Sequence, residues 1–147
     1  MSFRLEKKPS GYEPNDPVCD APKTPSHPLG DTSLPYIQCH SGELYYVFGN
    51  LGQFSVPFRD PNDLFFSQLT VDHWTAYAWT YNPNPSQAYL AARRYQTTLE
   101  EIQRSVTWEP VDIHQPSLRK LEYPSTQEPF EETEQCDFLH FPFNFYQ

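Results

Sequence analysis

The chain has 147 residues, with 10 Lys or Arg against 19 Asp or Glu and a formal charge of −9. That length suits one domain, and that charge argues against nucleic acid or an anionic membrane as the main partner, since affinity for phosphate surfaces comes from Lys and Arg. The 10 Tyr, 11 Phe and 3 Trp can build a small aromatic core, while the 16 Pro restrict regular structure.

No apolar run reaches the roughly 20 residues that span a bilayer. Met1 to Pro9 lack the apolar stretch of a secretory signal. Cys19, Cys39 and Cys136 are odd in number and far apart. They read as free thiols in the cytoplasm or another reducing compartment, with one disulfide plus one free thiol as the alternative.

Residues 1–30 carry Pro9, Pro14, Pro17, Pro22, Pro25 and Pro28, with charges of both signs and few large apolar groups. Such a stretch buries too little to offset its ordering entropy, which predicts an extended, partly polyproline-like arm.

Residues 31–112 read as an α+β core. Leu34–Gln38 suits an edge strand, because Pro35 cannot donate to a ladder. Glu43–Phe48 and Gln53–Phe58 are aromatic and β-branched runs joined by Gly49-Asn50-Leu51-Gly52, a hairpin pattern. In the second run Phe54, Val56 and Phe58 alternate with Ser55 and Pro57, so one face should be buried. Arg59–Asn62 is a turn, and Asp63–Leu69 is ambiguous between strand and helical turn. Trp74–Tyr81 reads as a strand with Tyr77, Trp79 and Tyr81 on one face and Trp74, Ala76 and Ala78 on the other.

The clearest pattern is a helix from Pro85 to about Val106, with Asn84 as N-cap and Gln87 placed for a capping box. Ala88, Ala92, Tyr95, Leu99, Ile102 and Val106 recur at helical spacing, predicting one long amphipathic helix across a small antiparallel sheet. Residues 113–147 read as an acidic linker and an aromatic tail, with a short element at Leu118–Tyr123. Leu139, Phe141, Phe143 and Phe145 alternate with His140, Pro142, Asn144 and Tyr146, the pattern of an edge strand with one sticky face.

Signals for chemistry are sparse. Cys39, His73 and Asp72 can be written as a thiol–imidazole–carboxylate set, but nothing in their spacing distinguishes a nucleophile from a buried thiol and a surface His. No Gly-x-Ser-x-Gly elbow, close Cys or His ligand pair, or complete phosphate loop occurs. Arg59, Arg93, Arg94 and Arg104 are the basic residues of 31–112, too few to interleave with rings as single-strand binders require. The expectation is therefore a non-enzymatic interaction protein or assembly subunit, without catalytic residue, cofactor or metal. Its partner would be a protein with a basic surface or an open sheet edge. Phe138, Phe141, Phe143 and Phe145 in the tail, with Trp74 or Trp79 on the core, are the candidate contacts.

Three other readings stand beside this one. A compact core with a short linear tail, ending at Gln147 as after a glutamine-directed protease, suits a viral accessory or leader protein that antagonises a host factor. Trp74, Tyr77, Trp79 and Tyr81 would suit a stacking platform for a small ligand. A small cysteine-dependent enzyme would use Cys39.

Overall fold

The computed structural model describes residues 3–5 as backbone, and residues 21–31, 33–34, 43–51, 58 and 61–140. The fold is mixed α+β. In chain order it runs β1 (Phe3–Leu5), α1 (Leu44–Val47), α2 (Asn62–Thr80), α3 (Gln87–Arg93), α4 (Gln96–Arg104), β2 (Ser117–Leu121), β3 (Thr126–Pro129) and α5 (Thr133–Phe138). The sheet has β2 in the centre, paired parallel to β1 and antiparallel to β3. Among the described residues no helix is long and apolar enough to cross a membrane.

The longest helix is α2, where alternating rings had predicted a strand over Trp74–Tyr81. Asp63, Phe66, Thr70 and His73 recur at spacings of three and four and are all buried, so the helix has a continuous inward stripe. Three of those four residues are polar, which hides the period from an apolar count. The Thr70 hydroxyl donates to the Phe66 carbonyl one turn back, at 2.9 Å, so its burial leaves no unmet donor. The rings at 77, 79 and 81 alternate because they decorate a surface, not because they line a sheet face.

The single helix expected over Pro85–Val106 is two. Arg94 takes a left-handed backbone (φ 60°), and the amides of Arg94 and Tyr95 close back on the carbonyls of Ala91 and Leu90, a Schellman-type end without glycine. The N-cap is Ser86, whose hydroxyl accepts from the Tyr89 amide, rather than Asn84. The break also rotates the expected stripe: Ala88, Ala92 and Val106 are exposed, while Leu90, Thr98 and Glu101 are buried.

Three further expectations change. Glu43–Phe48, read as a strand, contains helix α1. Residues 117–129, expected to be largely linker, form the β2–β3 hairpin; the element foreseen at Leu118–Tyr123 is β2. The antiparallel pairing expected is present as β2–β3, with β1 added in parallel on the other side of β2, and the one long helix expected over it is replaced by several. Residues 21–30, expected within an extended arm, form a loop closed by the Asp31 amide on the Pro22 carbonyl at 2.8 Å. There Gly30 (φ 115°) lies so close to Ala21 that a Cβ would sit 3.1 Å from it. The Gln53–Phe58 run lies outside the described residues apart from the exposed Phe58, as do residues 35–42.

The core joins helices to hairpin. Tyr46 of α1, Leu51, Phe66 of α2, Trp108 and Leu121 of β2 form one buried cluster, with Tyr45, Trp74 and Tyr123 packed against it. The Tyr46 and Phe66 rings meet at 4.6 Å in a tilted pair. Each fully buried large apolar side chain is worth roughly 1.5–3 kcal/mol.

Candidate functional site

The C-terminal end of α2 is the most unusual surface of the described molecule. Tyr81 ends the helix with a left-handed backbone (φ 57°), its amide bonded to the Tyr77 carbonyl at 2.8 Å. Glycine or asparagine normally fills that role, because a Cβ is crowded there. The Thr80 hydroxyl donates to the Ala76 carbonyl and accepts from the Asn82 amide, while the Asn82 side chain accepts from the Asn84 amide. Residues 80–84 are thereby held as a tight ridge.

Asn84 fastens that ridge to the core. Its Oδ1 accepts from the Trp108 amide at 2.8 Å and its Nδ2 donates to the Trp108 carbonyl at 3.0 Å. The side chain thus serves Trp108 as a neighbouring strand would, and the Trp108 indole is carried inward against His73 and Trp74. This explains why Asn84 is not spent on capping α3.

Two grooves flank the ridge and share Asn82 and Asn84 as a wall. One, of about 580 Å³, runs between Trp79, Ala76, Pro85 and Tyr89. The other, of about 470 Å³, runs between Tyr77, Tyr81, Pro83, Trp108 and Pro110. Trp79 is 83% exposed and Tyr81 86% exposed, and Tyr77 stands edge-on to Tyr81 at 6.3 Å. Acidic groups border both grooves, Asp72 the first and Glu109 the second. Such a surface offers apolar faces rimmed by hydroxyl, indole and amide hydrogen-bonding groups.

The sequence-derived candidates separate. Trp79 is on this surface, whereas Trp74 is half-buried with its ring 6.2 Å from that of Trp108. Phe138 is 83% exposed at the end of α5, a helix with no buried residue, beside the exposed Leu139. Phe141, Phe143 and Phe145 lie outside the described residues. Tyr89 was not foreseen, since its position on α3 gives no hint that the chain turns back toward Trp79.

The Cys39–His73–Asp72 set is not assembled by what is described. Cys39 lies outside the described residues. The Asp72 carboxylate accepts from the Gln68 amide at 3.0 Å, and His73 Nδ1 donates to the Pro83 carbonyl at 2.7 Å, so neither orients the other. Burial raises the Asp72 carboxyl above its ordinary range, against the opposing pull of Thr98 and Gln68. Among the described residues no group of three or more His, Cys, Asp or Glu could hold a metal ion.

Beneath the surface a polar network ties α4 to the hairpin. Glu101 Oε1 accepts from the Ser125 amide (2.7 Å) and hydroxyl (3.1 Å), and that hydroxyl accepts from Arg119 Nη2 at 2.7 Å. Arg119 Nη1 donates to the Val106 carbonyl, and Arg104 reaches the other Glu101 oxygen at 3.2 Å. Ser125 therefore relays between two buried, oppositely charged groups. Burial lowers the affinity of Arg119 for its proton, and Glu101 opposes that. Compared with protein-family models, curated proteins and solved structures, the chain matches none.

Proposed function

We propose that this protein is a non-enzymatic interaction protein that docks on a partner protein through the aromatic end of α2. The observation that carries this reading is the near-complete exposure of Trp79 and Tyr81 between two grooves, Tyr81 in a backbone conformation that disfavours tyrosine. An exposed ring at a strained position does nothing for the fold, and Trp and Tyr are the residue types that anchor interfaces. The exposed Phe138 and Leu139 extend the reading to the C-terminal segment, and the charge of −9 favours a partner with a basic rim. Cys136, a free thiol, suits a reducing compartment.

A second reading has its own support, because a groove of about 580 Å³ beside Trp79 and Tyr89 has the size of a small-molecule site. One experiment addresses both. Affinity capture from native cell extract is run with the wild-type chain, with Trp79→Ser/Tyr81→Asn, and with a chain ending at Asp137. The expected result is a protein retained by the wild type and lost from the double variant. The double variant should itself be no less stable in urea than the wild type, since asparagine tolerates a left-handed backbone better than tyrosine. Identical captured proteins across all three would overturn the proposal. A saturable shift of Trp79 fluorescence with a sugar panel, absent any captured protein, would favour the second reading.

A further inference from the structure

The ridge between the two grooves cannot lend its backbone to a partner. The Tyr81 amide is bonded to the Tyr77 carbonyl, the Asn82 amide to the Thr80 hydroxyl and the Asn84 amide to the Asn82 side chain. Pro83 and Pro85 have no amide hydrogen. From 81 to 85 no backbone donor is left over. A partner therefore cannot add there as a strand, a mode that rests on main-chain hydrogen bonds. An amphipathic helix, about 10 Å across, needs one continuous trough, and the ridge divides this surface.

What the surface offers instead is rings. Trp79 and Tyr89 stand in one groove, Tyr77 and Tyr81 in the other. Asn82 and Asn84 wall both, so the grooves lie side by side with one layer of side chains between them. A polyproline II segment repeats every three residues, about 9 Å, and makes no internal hydrogen bonds. Pro-x-x-Pro in that form would set one proline in each groove across the ridge. At about 470 and 580 Å³, each groove exceeds several times over the roughly 150 Å³ that accepts a six-carbon ring. The exposed Tyr81 hydroxyl and Trp79 indole N–H can donate to the carbonyls that such a segment leaves open. Charge narrows the choice further. Among the described residues, Asp72 and Glu109 are the charged groups lining the two grooves, both are acidic, and Glu109 is exposed. The chain's own proline-rich residues 6–20 set only Lys7 and Lys8 against Glu6, Glu13, Asp16 and Asp20, so their net charge is of the wrong sign for these grooves.

We infer that the two grooves bind a proline-rich segment of a partner protein in the polyproline II form, with prolines three residues apart astride the 80–84 ridge and an Arg or Lys beside Glu109. This rests on the docking role proposed above for the end of α2 and specifies what the partner presents to it. A preformed segment loses little conformational entropy on binding, and flat rings are the surfaces that grip it.

The test probes an array of short synthetic peptides with the full chain. Its members carry Pro-x-x-Pro with an Arg or Lys on either side. Matched members have both prolines replaced by alanine or the basic residue replaced by Glu, and one further peptide spans residues 6–20. The basic proline peptides should be retained, and their alanine and Glu counterparts should bind about tenfold more weakly or worse. Trp79→Ser/Tyr81→Asn should lose binding to the same degree, and Glu109→Lys should shift the preference toward the Glu peptides. Tyr89→Ser decides in place of the double variant if that chain fails to fold. The inference is overturned if no peptide is retained, if the alanine counterparts bind equally well, if the groove variants bind like the wild type, or if residues 6–20 bind tightest, which would make the chain's own arm the occupant. A captured partner that is lost from the Trp79/Tyr81 variant but not displaced by the best peptide would overturn this inference alone, whereas capture of no partner at all would overturn the docking role beneath it.

Discussion

His73 illustrates how burial sets chemistry residue by residue. Its ring is packed edge-on to Trp108 at 5.4 Å and hydrogen-bonded to the Pro83 carbonyl, with Glu101 and Arg119 as the charged groups that act on it. Desolvation depresses its pKa from 6.5 to about 4. Above about pH 6.5 the ring is neutral whether the chain is folded or not, so it leaves stability unchanged. Between about pH 6.5 and 4 the unfolded chain gains a proton that the folded chain refuses, and stability falls with pH by up to roughly 3 kcal/mol. Asp72 acts in the opposite sense, because its raised pKa lets the folded state take up a proton earlier as the pH drops. Urea unfolding followed by tryptophan fluorescence from pH 7 to 4 should show this loss in the wild type and a flatter profile in His73→Gln. The residue types of this site were visible in the sequence, but their burial was not: His73 reads as a surface group, and the buried side of α2 that takes it inward is mostly polar.

At the scale of elements, hairpin and helices are joined by Ser125 as much as by apolar packing. Removing its hydroxyl leaves Arg119 Nη2 unpartnered in a buried setting and Glu101 Oε1 with one donor fewer. Ser125→Ala should therefore destabilise the protein by about 1–3 kcal/mol. Glu101→Ala should cost about 3–5 kcal/mol, because it strands a buried guanidinium. Chemical denaturation of the two variants should give that order, and equal losses would mean that the hydroxyl and not the ion pair carries the link. Nothing local announces this network, since Glu101 and Ser125 are far apart in sequence and each looks like a solvated polar residue. The break between α3 and α4 was hidden for a related reason: Arg94 occupies the left-handed position that glycine would have advertised. Where local rules sufficed, as for the element at Leu118–Tyr123 and the helical pattern after residue 85, the reading held in kind but not in extent.

For the whole molecule, charge and exposed rings should divide the work of association. The excess of acidic groups raises encounter rates with a basic partner, an effect screened by salt, whereas ring packing governs how long the complex lasts. With the partner captured by the wild-type chain immobilised, the association rate should fall severalfold between about 50 and 500 mM salt while dissociation changes little. Trp79→Ser should instead speed dissociation. An association rate indifferent to salt would remove the basic partner from the proposal.

Composition and spacing were enough to identify a mixed α+β chain, rich in rings, with no span of membrane length and no recognisable catalytic motif. Those properties depend on which side chains are present and on short-range periodicity. The folding of Trp74–Thr80 into a helix, the pairing of Asn84 with Trp108 and the burial of His73 against Trp108 depended on contacts between distant segments. Burial gives a residue its energetic meaning, and burial is a property of the packed chain: the same polar side chain is indifferent in water and decisive once its partners replace that water.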